Sequence, residues 1–186
     1  MQSLIDAVQS GQLEAEITTV IADREAFGLK RAKVSNIKTC LVDRKEWGNK
    51  LSDVILERIP RNTDLIVLAG FLSILSTAFI SQWKGKIINI HPSLLPDFGG
   101  RGMYGIKVHQ AVLDDRRKTS GCSVHTVDTG IDTGDIILQR EVPVLSNDNP
   151  ETLQKRVLEQ EHQLLVDAVS KIIKTSNKEL KRGKEV

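Results

Sequence analysis

The run from Lys86 to Pro96, K-I-I-N-I-H-P-S-L-L-P, limits what this chain can fold into more than any other stretch. Ile87, Ile88 and Ile90 form a short β-branched segment with no face reserved for water, which is how a strand covered on both sides reads. Two polar residues interrupt it. Alternate side chains on a strand share a face, so Asn89 and His91 project side by side at its carboxyl end, just before Pro92 stops the ladder. In open α/β sheets that edge is where ligands bind. An amide donor beside a titratable imidazole suits a reaction in which charge grows on an oxygen while a proton moves nearby. Two polar groups at a strand end also serve simply to cap the following loop, and this stretch alone leaves both readings open.

The rest of the chain supplies the layers such a strand needs. Met1, Leu4, Ile5 and Val8 fall at helical spacing, and the helix they predict stops near Gly11. Ile17 to Ala22 reads as a strand, Arg24 to Lys33 as a helix, Lys38 to Leu41 as a short strand, and Trp47 to Ile59 as a helix closed by Pro60. Asp64 to Gly70 is nearly continuous in apolar residues and predicts a central strand; Ser76 caps a short helix to Trp83. A helix through Val108 and Val112 leads to a strand over Gly121 to Asp128. The turn-rich loop Asp128 to Gly134 is too short for a crossover, so Ile136 to Val144 returns antiparallel. Alternating strands and helices of about ten residues predict an α/β fold: a mostly parallel, doubly wound sheet with flanking helices and one antiparallel strand near the C-terminus.

Composition narrows the class further. With 186 residues, 40% hydrophobic and 27% charged, the chain suits one globular domain, assigned to residues 1–173. The net charge of +2 conceals a basic segment, 174–186, with a surplus of three positive charges over a body at −1. That segment reads as a solvated tail, and the body offers no basic face for nucleic acid. Cys40 and Cys122 have no metal-ligand spacing, no apolar run is long enough for a membrane span, and Met1 to Val8 lacks a signal-peptide pattern. The expectation is a cytoplasmic protein without a structural metal.

Of the four histidines, His109 and His162 lie among polar helical neighbours and read as surface residues. His125 shares a strand face with Ser123 and Val127, which favours packing or support over chemistry. His91 needs a carboxylate partner to work as an acid near neutral pH. Asp128 and Asp132 both offer one, and spacing does not choose between them. The glycines between Asp97 and Gly105 do not follow nucleotide-loop spacing. The last helix opens on Asn149 and Pro150 and carries the stripe Leu153, Val157, Glu161, Leu164, Ala168, Ile172. An acid on an apolar stripe must pair with a base or face a ligand.

N-I-H-P-S-L-L-P, followed some forty residues later by S-V-H-T-V-D-T-G-I-D-T-G-D-I-I-L-Q, resembles the folate-dependent formyltransferase family. L-A-G-F-L-S-I-L-S at Leu68 to Ser76 and E-Q-E-H in the last helix extend the similarity to about Ile173. The resemblance implies a Rossmann-like domain that moves a formyl group from 10-formyltetrahydrofolate to the amine of glycinamide ribonucleotide, in purine synthesis, without a metal. It also implies Asn89, His91 and Asp132 as the catalytic trio. Leu68, Leu72, Ser73, Ile74, Leu75, Ile80 and Ile87 would then wall the folate pocket, with Asn89 and loop atoms of Asp128, Thr129, Gly130, Ile131 and Asp132. Arg44 matches a folate-binding arginine, while Ser73 stands where some relatives carry arginine. Glu161, with Gln160, would hold the ribonucleotide. Formyltetrahydrofolate hydrolase, another formyltransferase relative or a folate-binding remnant are the rival readings. Oligomeric state is not legible.

The family pattern begins with a strand and a G-x-G-S-N loop whose N–H groups grip the substrate phosphate. Met1-Gln2 matches positions just after that loop, so the resemblance implies either a sequence cut short at its start or a sheet lacking an interior strand and the anion site.

Overall fold

The computed structural model describes residues 1–182. Its helices are α1 (Gln2–Gln9), α2 (Phe27–Val34), α3 (Arg44–Trp47), α4 (Leu51–Arg58), α5 (Thr77–Gln82), α6 (Ile106–Asp114) and α7 (Pro150–Arg182). Its strands are β1 (Val20–Ala22), β2 (Thr39–Leu41), β3 (Ile66–Leu68), β4 (Ile87–His91), β5 (Thr119–Thr126) and β6 (Ile136–Pro143). No helix among the described residues is long and apolar enough to cross a membrane.

The strands form two sheets. β1 pairs with β2 in parallel, and β3-β4-β5-β6 make a second sheet in that order. β3 and β4 are parallel, while β5 is antiparallel to both neighbours, so β6 runs with β3 and β4 again. The short link after Thr126 is what forces this reversal. Asp64 to Gly70 was expected to supply a central strand, but among the described residues β3 has a partner only in β4, and its three residues stay partly exposed. Apolar content reports burial and is silent on neighbours. The helix expected over Trp47 to Ile59 is broken instead: α3 ends at Trp47, a single 3-10 turn covers Gly48–Lys50, and α4 follows. Gly48 adopts φ +47°, a conformation that interrupts a helix at little cost for glycine alone.

Two apolar clusters cover the sheets. One joins α1, α6 and α7 to β5 through Ala7, Val112, Val124, Leu153, Val157 and Leu164. Fully burying one such aliphatic side chain contributes about 1.5–3 kcal/mol, which anchors the long helix α7 to β5 and β6. The other packs Val42, Leu51, Ile55, Leu75, Phe79 and Ile80 around Ile87. Ile21 of β1 and Ile66 and Leu68 of β3 share this second cluster, so side chains bridge the two sheets where no backbone ladder does.

Helix starts follow the sequence signals. Asn149 Oδ1 accepts from Thr152 N at 2.8 Å, and Ser76 Oγ accepts from Phe79 N at 3.2 Å. Arg156 fixes the entry to α7 by donating to both oxygens of Asp148, at 2.6 and 2.8 Å. The basic segment expected as a separate tail from 174 continues α7 to Arg182; 183–186 lie outside the described residues.

Candidate active site

β4 delivers Asn89 and His91 to its carboxyl end, as alternation requires, and β5 lies alongside with His125 opposite Asn89 and Ser123 opposite His91. Asn89 Nδ2 lies 3.1 Å from His125 Nε2. His125 Nδ1 is 2.8 Å from the Thr126 carbonyl, which can only accept, so Nδ1 carries the proton. Nε2 of the neutral ring is then the acceptor, and Asn89 donates one of its two amide protons to it.

The loop after β5 brings Asp132 to both imidazoles. Asp132 Oδ2 is 3.5 Å from His91 Nδ1, and Oδ1 is 3.6 Å from His125 Nε2. Gly100 N, from the loop after β4, donates to Oδ2 at 3.0 Å. Asp132 sits at φ +58°, a left-handed conformation that aspartate tolerates better than most residues. Gly134, two residues on, leaves no room for a side chain, because a Cβ there would collide with the Thr126 carbonyl oxygen. The loop is therefore folded back hard against the end of β5. Asp128, the other candidate, turns into its own loop instead: Oδ1 accepts from Gly130 N at 3.0 Å and Thr133 Oγ1 at 2.7 Å.

Burial dominates the electrostatics of His91, whose exposure is 4%, and lowers its pKa below the ordinary histidine value. The Phe98 carbonyl and Asp132 push the other way without winning, and His125 adds to the lowering. The resting imidazole is thus neutral near pH 7. Its Nε2 donates to the Phe98 carbonyl at 2.9 Å, which leaves Nδ1, the atom facing Asp132, free to take a proton. For Asp132, desolvation favours the neutral acid, but the adjacent His125 and His91 imidazoles and the bond from Gly100 N together hold its carboxyl below the usual range.

The other candidates fall into separate groups. Ile87, Leu75 and Ile80 are buried in the second apolar cluster; Leu68 packs on it, and Leu72 and Ile74 are exposed at 50% and 75% on the loop after β3. Thr129, Gly130 and Ile131 are exposed on the loop that carries Asp132. Arg44 and Ser73 meet through a residue that sequence reasoning missed. Asp23 is only 2% exposed at the end of β1; it accepts from Ser73 Oγ and Arg24 and lies 3.7 Å from Arg44 Nη1. A carboxylate closing an apolar strand beside an arginine was the available signal.

Glu161 stands apart from the trio. Burial among apolar neighbours on α7 raises its pKa to about 7, opposed by the charge of the Met1 amino group. Gln160 points elsewhere, its Oε1 accepting from Arg140 Nη1 of β6 at 3.4 Å. His162 is exposed, as expected. His109 is not: it is 1% exposed, because it shares the inner face of α6 with Val108 and Val112. Its polar sequence neighbours occupy the opposite face. Among the described residues no group of three or more His, Cys, Asp or Glu could hold a metal ion.

In this α/β fold an amide, an imidazole and a carboxylate converge at a strand's carboxyl end, an arrangement suited to chemistry at a carbonyl carbon. The formyl transferase model matches residues 1–169, and the chain belongs to that family. It is 40% identical over 172 residues to the chloroplastic phosphoribosylglycinamide formyltransferase of Vigna unguiculata, covering 90% of this chain and 55% of that one. It is also 40% identical over 168 residues to the trifunctional purine biosynthetic protein adenosine-3 of Chironomus tentans, covering 87% of this chain and 12% of the relative. The chain therefore spans only part of the length of these curated relatives. Among solved structures, phosphoribosylglycinamide formyltransferase from Brucella melitensis matches with a TM-score of 0.83 at 41% identity, over 92% of this chain and 88% of that one. The enzyme of the same name from Bacillus halodurans gives 0.85 at 30% identity, with the same two coverages.

Proposed function

We propose that the protein transfers a formyl group from a folate donor, 10-formyltetrahydrofolate, to the amine of glycinamide ribonucleotide. The observation that carries this reading is the convergence of Asn89, His91 and Asp132, with Asp132 Oδ2 3.5 Å from His91 Nδ1. The names of the relatives support the same formyl acceptor.

The neutral amine attacks the formyl carbon, and its carbonyl oxygen gains negative charge. Asn89 has one amide proton not given to His125 and donates it to that oxygen. As the amine becomes acidic, its proton passes to His91 Nδ1, where Asp132 stabilises the imidazolium. The imidazolium charge then offsets the oxyanion, and the proton goes on to the departing folate nitrogen. Burial makes this economical: a neutral His91 accepts the proton only when the reaction supplies both charges. The exposed Leu72 and Ile74 and the polar loop 128–132 would flank the donor's ring, with Arg44 and Ser73 toward its tail. Glu161 would accept from the ribose hydroxyls, a ligand role that accounts for an acid on an apolar stripe.

The test is donor consumption with and without the acceptor. Loss of 10-formyltetrahydrofolate only when glycinamide ribonucleotide is present supports the reading. Consumption by water alone would identify a hydrolase, and tight binding with no consumption a folate-binding remnant.

A further inference from the structure

The carbonyl that holds His91 belongs to a residue in an unfavourable conformation. Phe98 adopts φ +53°, a region that bulky side chains rarely enter, and in that conformation its oxygen lies 2.9 Å from His91 Nε2. From beneath, Ser93 Oγ donates to the Asp97 carbonyl at 2.6 Å, and Phe98 rests against the first apolar cluster. A cavity of about 270 Å³ lies behind the turn, lined by Ser93, Leu94, Phe98, Val112 and Ser120 among others. The Ser120 hydroxyl is buried there without a partner.

What grips the turn from outside is Arg117, which follows α6. Its guanidinium carbon lies 5.4 Å from the centre of the Phe98 ring. Nη2 is 3.0 Å from Asp97 Oδ2, and Nε donates to Asp115 Oδ2 at 2.6 Å. Asp115 thus fixes the direction of the planar fork, which in turn holds two consecutive residues of the turn, Asp97 by charge and Phe98 by its ring. We propose that Arg117 is a positioning residue for the reaction: it clamps Asp97 and Phe98 so that the Phe98 carbonyl keeps His91 in its Nε2–H form, with Nδ1 turned to Asp132. The chemistry it serves rests on the function proposed above; the clamp itself does not.

The groups that face the two ends of this chain of contacts are all in view. His91 is met by Asp132 and His125, and its charge is felt by His109 on α6. Arg117 is met by Asp97 and Asp115, and Lys118 and Glu141 line the same cavity. The Phe98 carbonyl is one of the two contacts that raise the pKa of His91 against burial. Loosening the turn should therefore lower that pKa further.

The experiment reads His91 directly, in ligand-free protein, by nitrogen-15 and carbon-13 NMR of the ring across pH 3 to 9. For Arg117→Gln we expect the His91 pKa to fall by about half a unit, roughly threefold in the protonated fraction, with a mixed tautomer replacing Nε2–H. Arg117→Lys, which keeps the charge for Asp97 and the ring, should restore most of the shift. Phe98→Leu leaves both ion pairs of Arg117 intact but removes the ring it rests on, and should move His91 in the same direction as Arg117→Gln. A His91 titration and tautomer identical to the parent protein in folded Arg117→Gln and Phe98→Leu would overturn the clamp. Because no substrate is present, absence of formyl transfer would count against the proposed function and leave this result standing.

Discussion

Asn89 and His125 face each other across β4 and β5, 3.1 Å apart, and the Thr126 carbonyl on the far side of the ring fixes which of them donates. His125 therefore sets the direction in which Asn89 offers its remaining proton. In His125→Ala the amide is free to rotate, and we expect kcat to fall about tenfold with KM values little changed, short of the ~10²–10³ that removing an oxyanion donor outright costs. Equal rates for variant and parent would show that Asn89 needs no such support.

Under the proposed function, His91→Ala removes the proton acceptor, and Asp132→Asn removes the charge that stabilises its protonated form. Each should slow transfer by ~10² or more while donor binding, followed by fluorescence or calorimetry, persists. In Asp132→Asn the pKa of His91 should fall further, since one of the contacts raising it is gone. A rate within twofold of the parent for either variant would remove that residue from the mechanism.

Acid should destabilise the fold before its carboxylates are neutralised. Burial lowers the pKa of His109 from 6.5 to about 4, with the charge of His91 adding to the effect, so the unfolded chain binds its proton first. The contribution is complete above the unfolded value, begins to be lost as pH falls through 6.5 and is exhausted below about 4. At ~1.4 kcal/mol per unit this amounts to on the order of 3 kcal/mol. Urea unfolding at pH 7.5 and pH 4.5 measures it, and His109→Phe should flatten the difference; an unchanged slope would mean His109 is protonated in the fold.

Glu161 carries the opposite sign. Burial raises its pKa from 4.5 to about 7, so the folded protein binds the extra proton between those values and stability declines as pH rises through that window. Glu161→Gln should therefore raise the unfolding free energy at pH 8, by up to ~3 kcal/mol. Under the proposed function the same change should weaken the ribonucleotide and leave the folate donor unaffected. A variant less stable than the parent at pH 8 would show that the carboxylate has a partner in the fold.

The fold class and half of the candidate site were legible because they depend on short-range pattern. Alternation alone brings Asn89 and His91 to one face and one end of β4. Asp132 was not separable from Asp128 by spacing, since what distinguishes them is a left-handed backbone at 132 and a contact from Gly100, thirty-two residues away in sequence. His109 was misread because its immediate neighbours are polar, although its spacing to Val112 marks the inner face of α6. Asp23 and the Phe98 carbonyl were invisible for a simpler reason: one acquires its role from partners on three different segments, and the other is main chain.

The division between β1 and β3 has a kinetic signature. In a parallel pair, alternate residues turn both main-chain groups to the partner strand: Val20 and Ala22 toward β2, Ile66 toward β4. Ile21 and Val67 turn theirs the other way, and among the described residues no strand receives them. In a chain of these 186 residues, those two amides should exchange in deuterated solvent far sooner than Ile88 or Val124, which are laddered and sealed. Two of the most water-averse stretches in the chain would thus hold its most labile strand protons.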